Sequence, residues 1–241
     1  AVSNVGKERW GELKGAAQQA LKNWRQSHPQ SPGAKWNEDF WLLGEVNNHG
    51  VVKNDYYNDN NQDQMTDFDA LLNTHFSNQQ SIKQIGQLWG NYAIKINNDD
   101  HFNVLSYISS MNRGLAGMND KITAGTKLLL TPGAVQIFYG DEINRSAPAY
   151  LTPQQAAKAD YPWDKQKQKV LRHWRKLGQF RKEHPAVGAG QQIELAKNTY
   201  GRTWDWDNDG RIEDKVVFKV NANGREKVRV KDIFADGTEV H

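Results

Sequence analysis

Cysteine is absent from the 241 residues, which excludes disulfides, thiolate metal sites and a cysteine nucleophile. It does not fix the compartment, because secreted chains also do without cysteine. Long apolar runs are missing too. The longest stretch, Lys127 to Tyr139, is interrupted by Thr131-Pro132-Gly133, whereas a spanning helix needs about 20 apolar residues. With a mean hydropathy of −0.84, the expectation is no membrane insertion. Charge of one sign is not in excess. The 31 basic and 28 acidic residues leave a net charge of +3 and are interspersed, so no basic stripe predicts nucleic-acid binding. No signal peptide opens the chain.

What is present is material for a sizeable core: 37% of residues are hydrophobic, enough for one large domain or two smaller ones. Nine tryptophans and eight tyrosines are many for this length. Exposed aromatic faces suit sugar rings, although most such residues serve the core.

Along the chain, strand-like and helical segments alternate. Ala1 to Val5 reads as a strand stub, then Trp10, Leu13, Ala17, Leu21 and Trp24 recur at helical spacing. His28-Pro29 and Ser31-Pro32-Gly33 stop that helix. Phe40 to Gly44 is a continuous apolar run, as expected of a strand buried on both faces. Phe68 to Asn73, Phe102 to Ile108 and Ala134 to Tyr139 are further strand candidates. Helices are predicted with Ile82, Ile85, Leu88, Trp89 and Tyr92 on one face, over Lys121 to Leu130, and over the basic stretch Trp163 to Lys182. The basic residues from Lys165 to Arg181 read as a solvated face. Strands separated by helices imply a parallel sheet. From about Gln191 short strands follow one another at Ile193 to Leu195, Val216 to Val220 and Val228 to Val230, as in a small antiparallel module.

In α/β barrels the chemistry sits at the carboxyl ends of the strands. The first apolar run ends Gly44-Glu45-Val46. A carboxylate there stands where a general acid belongs, and burial would raise its pKa toward neutrality. A strand-end Glu in a surface ion pair is the plain alternative.

The runs Phe40-Trp41-Leu42-Leu43-Gly44-Glu45-Val46 with His49-Gly50, Phe68 to Asn73, Asn103 to Ser110, and Pro132 to Glu142 resemble, in order, strands five to eight of the α-amylase family of glycoside hydrolases. The bacterial periplasmic members are the most similar. The resemblance implies the carboxyl-terminal half of a (β/α)8 TIM-type barrel over 1–189, from a strand-four stub to strand eight. A small antiparallel β domain over 190–241 would follow. It further implies a retaining mechanism on α-1,4-glucans or maltooligosaccharides, with two carboxylates flanking the scissile bond, and a periplasmic or secreted location. Asp141 and Glu142 would be structural.

Carried over by position, the general acid is Glu45. The histidine and the transition-state-stabilising aspartate of the family fall on Met111 and Asn112. Sugar-contacting positions fall on Asn4, Asn47 and His49, and the family's attacking carboxylate would lie just before Ala1. Asn112 carries no charge to offset an oxocarbenium-like cation. Catalytic groups act as a unit, so the isolated chain is expected to be inactive. A non-catalytic glucan-binding or scaffold role is the alternative. Half a barrel also leaves two open sheet edges, which predicts a homodimer or pairing with the missing amino-terminal half.

The segment Asp205-Trp206-Asp207-Asn208-Asp209-Gly210-Arg211-Ile212-Glu213 matches the first nine positions of a calcium-loop pattern. Asp205, Asp207 and Asp209 are the candidate Ca2+ ligands. Position twelve is Val216, which cannot supply the bidentate carboxylate. An acidic turn around Asp209-Gly210 is the other reading.

Overall fold

Proline and glycine around residues 28–33, and helical spacing before them, set the first helix: α1 spans Lys7–Ser27. A computed structural model of the chain describes residues 2–45, 68–73, 84–98, 104–108, 118–145, 158–164 and 168–240, with positions 82, 152 and 155. The most buried side chain of α1 is Lys14, which is 5% exposed; Trp10 packs on Phe68, while Leu13 and Trp24 are exposed. Lys14 Nζ lies 2.8 Å from Asp69 Oδ1. The other oxygen of Asp69 accepts the Leu42 amide at 2.6 Å. One carboxylate thus ties the helix to the entry of the first strand.

Four strands form a parallel sheet in chain order: β1 Leu43–Gly44, β2 Ala70–Asn73, β3 Val104–Ile108 and β4 Ala134–Ile137. Their registers are Leu43 opposite Ala70, Leu71 opposite Val104, and Leu105 opposite Ala134. Helix α2, Ile85–Asn97, follows β2, and α3, Met118–Leu129, follows β3. This is the alternation expected of parallel strands, which need a crossover. Gly44 is required where β1 meets β2, since a Cβ there would lie 2.8 Å from the Phe68 ring.

Helix α4 runs Gln168–Glu183 and α5 runs Ala186–Ala189. Three antiparallel strands follow: β5 Gln191–Ala196, β6 Thr199–Trp204 and β7 Asp214–Lys219. The two sheets share one apolar core. Trp89 of α2 meets the rings of Tyr200 and Phe218 edge-on, with centroids 6.2 and 5.9 Å away. Leu71, Ile85, Leu128, Val170, Trp174 and Val187 complete the same cluster.

Several expectations are corrected. The stub at the start is a 3-10 turn, Val2–Asn4, not a strand. Val2 is buried and held by Trp10, whose Nε1 donates to its carbonyl at 3.1 Å. The apolar run Phe40 to Gly44 yields only two residues of strand. The basic helix begins at Gln168, not Trp163. Arg181 is not a solvated residue. Its guanidinium donates to the carbonyls of Leu129 (3.1 Å), Thr131 (2.8 Å) and Gly133. It thereby satisfies carbonyl groups at the end of α3, and burial pulls its pKa down to about 10. Val228 to Val230 joins neither sheet, and the central strand of the antiparallel sheet is Thr199–Trp204.

Candidate functional site

Parallel pairing brings the carboxyl ends of β1 to β4 to one side of the sheet. Glu45 is the residue directly after β1 on that side. It is exposed, not the buried strand-end carboxylate expected from the sequence. Its backbone carbonyl accepts the Val2 amide at 3.2 Å. That bond anchors the Val2–Asn4 turn beside Glu45 and carries the exposed Asn4 with it. Asn47, His49, Met111 and Asn112 lie outside the described residues.

The turn after β4 is built on charged groups. Asp141 is buried and forms an ion pair with buried Lys121, Nζ to Oδ1 2.9 Å. Trp174 Nε1 donates to the Lys121 carbonyl at 3.0 Å, so α3, α4 and the turn meet at one point. Glu142 accepts the Gly140 amide and the Tyr161 hydroxyl, each at 2.8 Å. Burial, then the hydrogen bond to Glu142, pushes the Tyr161 phenol up to about 12. Both acids are engaged in holding the turn.

The acidic loop lies between β6 and β7. Carboxylate oxygens of Asp205, Asp207, Asp209 and Glu213 all lie within 4.8 Å of one another. Gly210, at φ +90°, and Asn208, at φ +57°, provide the left-handed backbone that wraps the loop. The carboxylates are partly engaged by the loop itself. Asp205 accepts the Gly210 amide at 2.9 Å, Asp209 accepts the Arg211 amide at 2.8 Å, and Glu213 accepts the Trp206 amide at 3.0 Å. Glu213 joins the set through the chain reversal, which brings position nine of the loop back over position one. Val216, at position twelve, is buried in β7.

Sequence reading missed Arg202, a fully buried side chain of β6. Its Nε and Nη2 donate to Gln192 Oε1 at 3.1 and 2.8 Å, and Nη1 donates to the Val187 carbonyl. Desolvation, with Arg181 nearby, lowers its pKa to about 9. An arginine inside a strand interrupts the apolar alternation by which strands are recognised, and no signal in the sequence marked it as buried.

Among the described residues no helix is long and apolar enough to cross a membrane. No family model matches the chain. The periplasmic alpha-amylase of Escherichia coli strain K12 is 38% identical over 203 residues, which are 80% of this chain and 28% of that protein. Among solved structures, the alpha-amylase from Geobacillus thermoleovorans complexed with acarbose is 17% identical. It superposes with a TM-score of 0.49 over 77% of this chain and 43% of its own. The cyclic alpha-maltosyl-(1→6)-maltose hydrolase from Arthrobacter globiformis in complex with maltose is 16% identical, with a TM-score of 0.46 over 77% of this chain and 43% of its own. The chain therefore spans less than a third of the curated relative it matches, and on its identity to that relative it belongs to the α-amylase family.

Proposed function

We propose that the chain is the carboxyl-terminal half of a retaining α-1,4-glucan hydrolase barrel, residues 1–189, carrying a small antiparallel β domain, residues 190–241. The observation that carries the reading is Glu45 at the carboxyl end of β1 in a four-stranded parallel sheet. In the proposed reaction Glu45 protonates the glycosidic oxygen while a second carboxylate attacks the anomeric carbon. Water then releases the sugar, with Glu45 now acting as base. Asn4, Asn47, His49 and Met111 contact sugar hydroxyls. Asn112 takes the place of the transition-state carboxylate and supplies hydrogen bonds without charge. The relative named above favours an α-glucan or maltooligosaccharide substrate and a periplasmic setting.

The 241 residues alone are proposed to bind glucan without turning it over, since they pair Glu45 with Asn112 and offer no assigned attacking carboxylate. Purified chain should therefore leave a chromogenic maltooligosaccharide intact, and Met111→His with Asn112→Asp should not rescue it. Turnover that Glu45→Gln abolishes would sink the inactivity of the chain. Reading the coding sequence upstream of Ala1 for a strand ending in Asp separates a truncated enzyme from a scaffold remnant.

The acidic loop is a second proposal, as a weak Ca2+ site. Four clustered carboxylates are the hard oxygen donors that ion prefers. The lack of a bidentate acid at Val216 sets the affinity near the roughly millimolar end.

A further inference from the structure

Trp163 is 78% exposed, the most open of the large hydrophobic side chains among the described residues. It does not hang from a loose loop. Residues 159–163 are tied to the turn after β4 at several points. The Tyr139 hydroxyl and Arg145 Nη1 both donate to the Ala159 carbonyl, at 3.0 and 2.6 Å. The Tyr161 hydroxyl donates to Glu142 at 2.8 Å. The Trp163 amide donates to the Tyr161 carbonyl at 3.1 Å, and Pro162 between them fixes the backbone. The indole rests against the Tyr161 ring, centroids 4.5 Å apart and planes inclined by 51°. Tyr139 beside them is 42% exposed, with the Arg145 guanidinium 4.5 Å from its ring centroid.

We infer that Trp163, with Tyr161 and Tyr139, is a preorganised shelf that stacks a glucosyl ring of an α-glucan, apart from the bond-cleaving position at Glu45. An indole face held open to water has an apolar body that suits the C–H face of a pyranose. Exposed Asp160 and Asp164 flank the stack and accept hydroxyl hydrogens. Tyr139, just after β4, and Glu45, just after β1, lie at the same end of the sheet, with two strands between theirs. The inference rests on the glucan reading proposed above.

The test is titration of the purified chain with maltoheptaose, followed by calorimetry, with cellohexaose as the comparison ligand. Trp163→Ala should weaken maltoheptaose binding by roughly tenfold, Trp163→Phe should restore most of it, and Trp206→Ala on the acidic loop should leave it unchanged. Both positions are surface ones, so melting temperatures of the three variants should agree. Unchanged maltoheptaose affinity in Trp163→Ala overturns the shelf and leaves the glucan reading standing. Equal affinity for cellohexaose overturns the α-glucan assignment of the shelf. Wild-type chain that binds no maltoheptaose overturns both.

Discussion

The guanidinium carbon of Arg202 lies 4.9 Å from the ring centroid of Phe218, with both side chains in the seam between the antiparallel sheet and α2. The Trp89 ring centroid is 5.6 Å away. Carbonyl and amide oxygens, together with aromatic faces, take the place of a carboxylate. A weakly hydrated, delocalised cation tolerates this where an ammonium would not.

Arg202→Ala should therefore cost about 3–5 kcal/mol, from a cavity plus two unpaired acceptors, Gln192 Oε1 and the Val187 carbonyl. Arg202→Met fills the space but leaves the acceptors, and should cost about half as much. Urea denaturation of the two variants checks both values. Equal losses would mean that volume is irrelevant at this site.

His173 offers a pH signature. Its Nε2 lies 2.8 Å from Thr126 Oγ1, linking α4 to α3. Burial first, and Lys176 second, hold its pKa below the usual histidine value, against an opposing backbone hydrogen bond. The folded state thus favours the neutral ring. Below about pH 6.5 the unfolded chain binds more protons, so this contribution is complete above that pH and is lost as pH falls toward the folded pKa. The urea midpoint should drop between pH 7 and pH 5, and His173→Gln should flatten that part of the profile. A variant with the wild-type slope would assign the acid sensitivity to other groups.

Assembly should follow from the open parallel sheet. Residues Ala134, Gln136 and Ile137 of the edge strand β4 are exposed, Ile137 at 46%. Unpaired edges seek partners. Light scattering should give a mass above the 27.5 kDa of one chain, and adding an amino-terminal half-barrel should compete with self-association. A cooperative, monodisperse monomer would refute this expectation.

Calcium at about ten times a millimolar dissociation constant should raise the melting temperature by roughly 3–6 °C. Asp207→Asn with Asp209→Asn should remove the rise while leaving the calcium-free melt nearly unchanged. An unshifted wild-type melt at several millimolar calcium would leave an acidic turn held by its own amides.

The alternation of strands and helices was legible where a crossover carries an apolar face at helical spacing, as Ile85, Trp89 and Tyr92 do after β2. The clustering of the acidic loop was legible because its aspartates are local, spaced by two residues. Long-range polar pairs were not. Lys14 with Asp69 spans 55 positions, and Lys121 with Asp141 is an ordinary lysine and aspartate until the fold brings them together. The strand Thr199–Trp204 was missed because Gly201 and Arg202 break its apolar pattern. Their reasons lie elsewhere in the chain: a Cβ at Gly201 would collide with Ile233, and Arg202 is received by Gln192 and Val187. Glu45 stood out first by its place at the end of an apolar strand and then through resemblance, since a strand-end glutamate has no further local signature.

The seam on α2 also sets a timetable for synthesis. Gln192 Nε2 donates to the Gly86 carbonyl across 106 positions, and Gly86 can have no Cβ because the Tyr200 hydroxyl occupies that space. The helix surface around Trp89 is therefore made long before the strands that cover it. At about 5–20 residues per second, a nascent chain carries that greasy surface uncapped for roughly 5–20 s. During that interval it is a natural landing place for a chaperone, and a stalled ribosome would prolong the exposure.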